Sequence, residues 1–407
     1  MQSAVLVERR RDIRVMSVVG VCHFFSHFYQ LAMPPLFVMI NAAQGYSLER
    51  LSILVSVFFA VSFAFQIPVG FFVDRFGARS ILMAGMALMA GATALYGIFP
   101  AYEAMVVFAV LGGLGNSVFH PADYSILNGS VTRARLGKAF SVHNLGGFVG
   151  YAVAPVLMAW MGLTFGWQTA AVAAGAAGLL VLVVSIALSG DFRDSSHARR
   201  EVAAQNTLRQ DFGLLLKPAP LLCLLFFTLL AGGQLGVQFF ADKVYYLAHE
   251  VAPVLGNSFI SAFVIGALTG IIAGGVVADR IANPLRLTFF SLLTCAALVL
   301  ILALSPPDTS LVFAVIAAAG FFFGFGFASR DLVVSSIAPP EASGKMFGFV
   351  FSGLDMGSAL APLIYGALLG AVLPLTVFYV ACVLIAISAF TVYAAGMSVE
   401  RRPARTG

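Results

Sequence analysis

The sequence predicts an all-α integral membrane protein, with twelve transmembrane helices arranged as two parallel six-helix repeats. Three observations carry this prediction: the composition, a succession of long apolar runs, and motifs that occur twice. Of the 407 residues, 60% are hydrophobic and only 10% are charged, whereas soluble proteins carry roughly 25% charged residues. The composition therefore excludes a soluble globular protein.

Apolar runs follow one another along the whole chain, each long enough to cross a hydrocarbon core of about 30 Å. In lipid, backbone N–H and C=O groups must be satisfied within their own segment, so such runs form helices. The predicted spans are residues 15–40, 51–73, 81–99, 103–127, 138–162, 166–189, 217–241, 257–279, 286–304, 310–334, 345–370 and 373–396.

Basic residues concentrate before the first span and in every second connection. They fall in residues 9–14, 75–79, 133–138, 193–217 and 280–286, at Lys345, and in residues 401–405. Cytoplasmic loops carry an excess of Lys and Arg, so we expect both termini in the cytoplasm. This placement accounts for the net charge of +5, and we expect no nucleic-acid partner.

A motif in spans four and five recurs later in the chain with a constant offset of 207 residues (344 − 137 = 207, 362 − 155 = 207). The matched glycines include Gly146 and Gly150, which correspond to Gly353 and Gly357. We therefore expect an N-terminal bundle at 1–190, a polar cytoplasmic linker at 191–216 and a C-terminal bundle at 217–407. Parallel six-helix halves are the architecture of major facilitator transporters.

A second motif, G-x-x-x-D-R, also occurs twice, after spans two and eight, and its first copy continues as F-G-A-R. It resembles the GxxxDRxGRR loop of the major facilitator superfamily. The resemblance implies two bundles that rock about a central cavity, with alternating access to each side. We expect gating and scaffold roles for Gly70, Asp74, Arg75, Gly77, Arg79, Asp279, Arg280, Gly146, Gly150 and Pro155.

Ionisable side chains at bilayer depth cost at least about 2.5–3.5 kcal/mol on insertion scales, so each one suggests a function. His23 and His27 lie four residues apart in span one and therefore share a helix face, with Gln30 nearby. Three interpretations remain open: cavity lining, structural hydrogen bonding and a metal site. We expect no metal, because no carboxylate or thiolate lies nearby at matching spacing.

In span four, His120 and Asp123 lie within one turn, and Asn116 precedes them. A buried carboxylate beside an imidazole can take and release a proton. The alternative is a structural Asp–His or Asp–Arg pair that locks the halves together.

In the second half, Arg330 takes the place of Asp123 (330 − 207 = 123). We interpret it as the counter-ion of an anionic substrate or of a carboxylate, and the adjacent Asp331 favours the latter. Asp355 has no local partner, which makes it the best single candidate for a carboxylate that a proton neutralises. Gln234 and Gln238 share a face and suit a cavity wall.

The candidates for proton coupling are Asp123, His120, Asp355 and His27. The candidates for substrate binding are His23, His27, Tyr29, Gln30, Asn116, His120, His143, Asn144, Gln234, Gln238, Arg330 and Asp355. Catalytic signatures and a phosphate-cradling loop are absent from the sequence. We therefore expect no enzyme and no cofactor, with a proton gradient as the energy source.

Three segments, 23–30, 112–121 and 146–150, resemble the fosmidomycin-resistance branch of bacterial drug efflux transporters. The resemblance implies a monomer in the bacterial cytoplasmic (inner) membrane that exports a small drug-like molecule or metabolite by proton antiport and confers antibiotic resistance. The alternative is proton-coupled uptake of a small organic anion, with Arg330 and the histidines as its partners. A non-transporting membrane sensor is a third hypothesis.

Overall fold

The structure is a computed structural model that describes residues 2–192, 208–250, 253–304, 309–370 and 373–400. These residues form seventeen α-helices, joined by short turns, and contain no strand. In chain order, the helices are α1 (Gln2–Gln30), α2 (Phe37–Gln44), α3 (Leu48–Phe76), α4 (Ala78–Ile98), α5 (Tyr102–Asn116), α6 (Phe119–Ser130), α7 (Leu136–Phe165), α8 (Trp167–Leu188), α9 (Leu208–Leu215), α10 (Pro218–Gln238), α11 (Ala241–His249), α12 (Pro253–Ala278), α13 (Pro284–Leu304), α14 (Thr309–Phe325), α15 (Phe327–Ile337), α16 (Ser343–Gly370) and α17 (Thr376–Glu400).

Twelve segments of the described residues are long and apolar enough to cross a membrane, which confirms the predicted number and the all-α fold. They are Leu6–Gln44, Leu48–Phe76, Ala78–Ile98, Tyr102–Ser130, Arg133–Phe165, Trp167–Asp191, Pro218–Gln238, Phe259–Ala278, Pro284–Leu304, Ser310–Ile337, Ser343–Leu369 and Thr376–Ser398. Several of these segments begin before the apolar run from which the span was predicted. Helix α3 starts at Leu48 because the hydroxyl of Ser47 accepts a hydrogen bond from the N–H of Arg50, which satisfies one of the free donors of the first turn.

Two spans are interrupted inside the apolar run. The first span breaks after α1 into a short 3₁₀ turn, Pro34–Leu36, as the two prolines predict, because proline has no N–H to donate. The fourth span, predicted at 103–127, is present as Tyr102–Ser130, but it divides into α5 and α6 at residues 117–118. The hydroxyl of Ser117 donates to the carbonyl of Leu114 at 2.7 Å, so a side chain competes with the backbone for a helical acceptor.

The chain divides into two compact units. Unit 1 consists of residues 1–206 and 339–348, and unit 2 consists of residues 207–338 and 349–407. In unit 1, α1 packs against α7 and α4 against α8; in unit 2, α12 packs against α14 and α10 against α17. Residues 193–207 of the predicted linker lie outside the described residues, so the linker boundaries stay a prediction.

Glycines allow α1 and α7 of unit 1 to approach closely. A Cβ added to Gly146 would overlap the carbonyl oxygen of Gly20, and one added to Gly150 would overlap that of Phe24. The approach of these two backbones fixes the distance between the side chains that α1 and α7 turn toward each other.

The same contacts recur in unit 2. A Cβ on Gly353 would overlap the carbonyl oxygen of Leu224, and one on Gly357 would overlap that of Thr228. Helix α16 is therefore the counterpart of α7, and α10 is the counterpart of α1. The glycine repeat that the sequence shows corresponds to a repeated helix–helix contact.

Asp12, near the start of the first span, is fully buried. Arg135 and the hydroxyl of Thr132 both donate to its carboxylate at 2.7 Å. This ion pair joins α1 to the connection between α6 and α7, and spacing along the sequence did not indicate it.

Candidate functional site

Three helices of unit 1 bring together four histidines and an aspartate. Helix α1 contributes His23 and His27, α6 contributes His120 and Asp123, and α7 contributes His143. We call these five residues the histidine–aspartate cluster. Every one of them was a candidate from the sequence, but their convergence on one point was not predicted.

Asp123 is the centre of the cluster, and its carboxylate is fully buried. Its Oδ2 lies 3.1 Å from Nδ1 of His23 and 3.2 Å from Nε2 of His143. These two contacts join the carboxylate to one ring nitrogen on α1 and one on α7. The other oxygen, Oδ1, is also buried and has no hydrogen-bond partner among the described residues.

The imidazole rings pack directly on one another. His23 stacks on His143 with ring centroids 3.6 Å apart and an interplanar angle of 24°. His27 lies 4.4 Å from His23, and His120 meets His23 edge-on at 5.5 Å. Both ring nitrogens of His27 are buried without a hydrogen-bond partner in the part of the chain that the structure describes.

The sequence argument against a metal was that His23 and His27 lack a nearby carboxylate. The structure overturns that premise, because Asp123 lies within hydrogen-bond distance of His23. Ligand atoms lie within 4.8 Å of one another in two sets, His23 with His27 and His120, and His23 with Asp123 and His143. Residue spacing missed the carboxylate because it comes from another helix, 100 residues further along the chain.

A chain of neutral hydrogen bonds lies beside the cluster. Gln30 donates to Asn116 at 2.9 Å, Asn116 donates to Ser62 at 2.8 Å, and the hydroxyl of Tyr151 donates to Gln30. Gln30 and Asn116 were predicted, whereas Tyr151 and Ser62 were missed. The signal for Tyr151 was available, since it lies two helical turns after His143 and so shares its face.

Three further polar residues surround this region. The amide nitrogen of Gln66, which the sequence analysis missed, lies 3.4 Å from Nδ1 of His120. The predicted binder Asn144 donates to the carbonyl of Phe140 in its own helix. Tyr29, also predicted, donates to the carbonyl of Ala174 on α8 and lines a cavity of about 40 Å³ together with Gln30.

In unit 2 the predicted polar residues pair with neighbours along the sequence. The buried Arg330 donates from Nε to Oδ1 of Asp331 at 2.8 Å, so the adjacent carboxylate is its partner, as expected. The guanidinium lies 4.0 Å from the ring centroid of Phe327. Gln234 donates to Gln238 at 2.7 Å, which confirms that the two share a face.

Asp355 lies in α16 of unit 2 and is half-buried. Its Oδ2 is buried, and no described residue gives it a hydrogen bond. The sequence suggested a carboxylate without a local partner, and this oxygen fits that expectation.

The first gating motif follows α3 and contacts the start of α16 within unit 1. Asp74 accepts hydrogen bonds from the N–H groups of Gly344 at 2.7 Å and Lys345 at 3.1 Å. The carboxylate thus lies at the positive end of a helix. A Cβ on Gly70 would lie 2.6 Å from the carbonyl oxygen of Gly344, and Gly77 ends α3 with φ of 93°, a conformation that favours glycine.

The remaining gating candidates are spread over several elements. Arg79 donates to the hydroxyl of Ser189 at 2.8 Å, while Arg75 is exposed. Asp279 and Arg280 directly follow α12, and Pro155 lies within α7, which continues through it.

Known proteins are similar to this chain in sequence and in fold. A family model described as Major Facilitator Superfamily matches residues 18–306 and 243–406. The chain is 22% identical to the fosmidomycin resistance protein of Escherichia coli K12 over 370 aligned residues, and the alignment covers 89% of each protein. It is 24% identical to the probable galactarate/D-glucarate transporter GudP of Bacillus subtilis 168 over 356 aligned residues, and this alignment covers 77% of each protein.

A solved structure supports the fold alone. The fucose:proton symporter FucP of E. coli superposes with a TM-score of 0.75 at 13% identity, over 94% of this chain and 98% of that one. The family match spans both repeats, and the twelve predicted spans are present in the described residues. The chain therefore belongs to the Major Facilitator Superfamily, as a multi-pass membrane transporter of small molecules and not an enzyme.

Proposed function

We propose that the protein is a proton-coupled antiporter that exports a small drug-like molecule or metabolite by alternating access. The observation that carries the proposal is the carboxylate of Asp355, with its buried and unpartnered Oδ2. A buried charge without a partner costs several kcal/mol. A proton on Asp355 removes this charge, so a change of access at this residue couples to proton binding and release.

The proposal gives the two units different tasks. Asp355 carries the proton, while the histidine–aspartate cluster of unit 1, with Gln30 and Asn116, binds the cargo. Of the other proton candidates, Asp123, His120 and His27 all belong to the cluster, and we assign them to binding. We assign gating to the contact between Asp74 and the start of α16. The likeness to the fosmidomycin resistance protein supports a drug-like cargo.

The basic residues of the loops and the bacterial relatives support a cellular location for the protein. The basic residues of alternate loops support cytoplasmic termini, and bacterial relatives support the cytoplasmic (inner) membrane of a bacterium. We further propose that the transporter acts as a monomer, and that the proton gradient is its energy source.

The second candidate is proton-coupled uptake of a small organic anion. The buried cation of Arg330 favours it, as does the likeness to a probable galactarate/D-glucarate transporter. Against it, the ion pair of Arg330 with Asp331 has no net charge. Export remains the better-supported function.

Substrate-linked proton movement in proteoliposomes tests the proposal. Vesicles with an acidic interior and a trapped pH-sensitive dye receive fosmidomycin or galactarate from outside, beside a panel of antibiotics and organic acids. An antiporter exchanges entering substrate for leaving protons, so the interior becomes more alkaline. A symporter makes it more acidic, which would replace the proposal with the second candidate.

The variant Asp355→Asn separates coupling from binding. We expect it to lose at least about tenfold in proton movement while it retains exchange of labelled substrate across the membrane, because the amide binds no proton at neutral pH. Asp242→Asn, a matched change in the same unit but outside the spans, should move protons like the unmodified protein. Undiminished proton movement in Asp355→Asn would show that another group carries the proton.

A further inference from the structure

We propose that the histidine–aspartate cluster binds one divalent first-row transition-metal ion, and that this ion is cargo. The ion would travel alone or as a chelate with a small organic molecule. The cargo role rests on the proposed function, whereas binding of the ion rests on the cluster alone.

The ligand chemistry selects this class of ion. The cluster offers imidazole nitrogens from four histidines and oxygens from one carboxylate. Imidazole suits zinc, copper, nickel and iron, whereas magnesium and calcium require mostly oxygen ligands. A mainly nitrogen set therefore disfavours magnesium and calcium, which are abundant in cells.

The distances suit the ion as well. A tetrahedral site with metal–ligand distances of about 2.0–2.1 Å places neighbouring ligand atoms about 3.3 Å apart. Oδ2 of Asp123 lies 3.1 Å from the nitrogen of His23 and 3.2 Å from that of His143. An ion can replace these hydrogen bonds with small shifts. A neutral imidazole that binds the ion through one ring nitrogen keeps its proton on the other.

A second observation also points to a ligand. Both nitrogens of His27 and Oδ1 of Asp123 are buried, and none has a hydrogen-bond partner among the described residues. A buried polar atom without a partner costs about 1–3 kcal/mol. A cation in the cluster can take one nitrogen of His27 or Oδ1 of Asp123 as a ligand, whereas the hydrogen bonds between described residues leave these atoms unsatisfied.

Neighbouring residues hold these rings in place. The ring of Tyr151 lies 4.2 Å from that of His27, edge-on, and the amide of Gln66 lies beside His120. Outer residues that orient ligands typically contribute 10–100-fold to metal affinity. The cluster therefore has supporting contacts as well as ligands.

Metal binding to the purified full-length protein tests the inference directly. The protein is prepared with an affinity tag that contains no histidine, stripped with a chelator and titrated with Co²⁺, Zn²⁺ or Ni²⁺ in a calorimeter. We expect one ion per chain, and the visible absorption of bound Co²⁺ should indicate nitrogen and oxygen coordination. An absence of binding, or visible bands of hexa-aquo cobalt alone, would overturn the inference.

Variants locate the ion. His143→Ala and Asp123→Asn should each weaken binding at least about tenfold, in line with or beyond the loss that outer-shell changes cause. His27→Gln should weaken it too, and this variant leaves both hydrogen bonds of Asp123 intact, so a folding defect does not obscure the result. His249→Ala, the described histidine outside the cluster, is the matched control. Unchanged binding in all three cluster variants would refute the site.

Flux of the same ions into proteoliposomes then tests the cargo role. Metal entry coupled to proton exit supports it. Metal entry without proton movement supports the inference but contradicts the proposed proton coupling. Proton-coupled transport of a drug, with bound metal that never crosses, overturns the cargo role and leaves the proposed function intact.

Discussion

At equivalent positions the two units carry side chains of opposite character. The repeat relates His120 to Phe327 and Asp123 to Arg330 (327 − 120 = 207, 330 − 123 = 207). In unit 1 the carboxylate lies among imidazoles. In unit 2 the guanidinium lies on the face of Phe327, where a cation–π contact is favourable.

The first membrane span of each unit, α1 in unit 1 and α10 in unit 2, shows the same difference in side chains. The glycine contacts relate Gly20 to Leu224 (224 − 20 = 204), and the same offset relates His23 to Phe227 (227 − 23 = 204). His23 bonds to Asp123, and Phe227 lies 5.2 Å from the guanidinium of Arg330. The equivalent residues thus lie close together in both units, but their side chains differ in charge and polarity.

This difference shows which features of the repeat are the same in both units. Glycines that allow backbone contact occur at the same places in both units, whereas the side chains at the meeting point are free to differ. In unit 1, partners come from distant parts of the chain and form the histidine–aspartate cluster. In unit 2, Arg330 is neutralised by its sequence neighbour Asp331.

The first prediction concerns the ion pair of unit 2. Arg330→Ala should lower the free energy of unfolding by about 3–5 kcal/mol, because it leaves the buried carboxylate of Asp331 without its cation. Thermal unfolding in detergent measures the loss as a lower melting temperature. The double variant Arg330→Ala/Asp331→Ala should recover part of it, since no lone charge remains. A double variant as unstable as the single one would show that the pair is not the cause.

The second prediction concerns the glycines that both units share. Gly150→Ala and Gly357→Ala should each cost about 1–3 kcal/mol, because each added Cβ forces two helices apart. The matched controls are Gly91→Ala in unit 1 and Gly366→Ala in unit 2, where a Cβ meets nothing within 4 Å. Melting temperatures of the four variants compare the units directly. A marked loss in only one unit would break the structural equivalence.

The third prediction concerns Asp242, a carboxylate of unit 2 outside the spans. Burial raises the pKa of Asp242 from 3.8 to about 6, and its Oδ1 has no hydrogen-bond partner in the described ranges. The folded protein therefore holds a proton that the unfolded chain releases between about pH 4 and pH 6. Stability falls as the pH rises through this window, and the cost is complete above it.

Asp242→Asn should accordingly raise the melting temperature at pH 7.5 and leave it unchanged at pH 3.5. We expect a gain of no more than about 1 kcal/mol, because the group is partly exposed and solvent screens it. An equal gain at both pH values would contradict a charge effect and indicate a change in packing.

Much of the fold could be predicted because lipid burial is visible in composition. Apolar length predicted the twelve spans, and the prolines at 34 and 35 predicted the break in the first. Helical periodicity alone placed His23 and His27 on one face. The break near Ser117 was not predictable in this way, since it depends on a hydroxyl that bonds its own backbone within an unbroken apolar run.

The five residues of the histidine–aspartate cluster were each candidates from the sequence, but their geometry was not predicted. Asp123 and His23 are 100 residues apart, and they are neighbours because α1 packs against α6 as well as against α7. The approach of α7, which carries His143, depends on the contacts of Gly146 and Gly150 with the first helix. The sequence shows that these glycines recur, but it does not show which helix they contact.

The buried ion pair of Asp12 bears on protein engineering. Because Arg135 and Thr132 donate to this carboxylate, a deletion that extends through residue 12 removes a partner that the connection before α7 requires. A label or fusion is best attached ahead of the first helix, and a shortened version should retain Asp12.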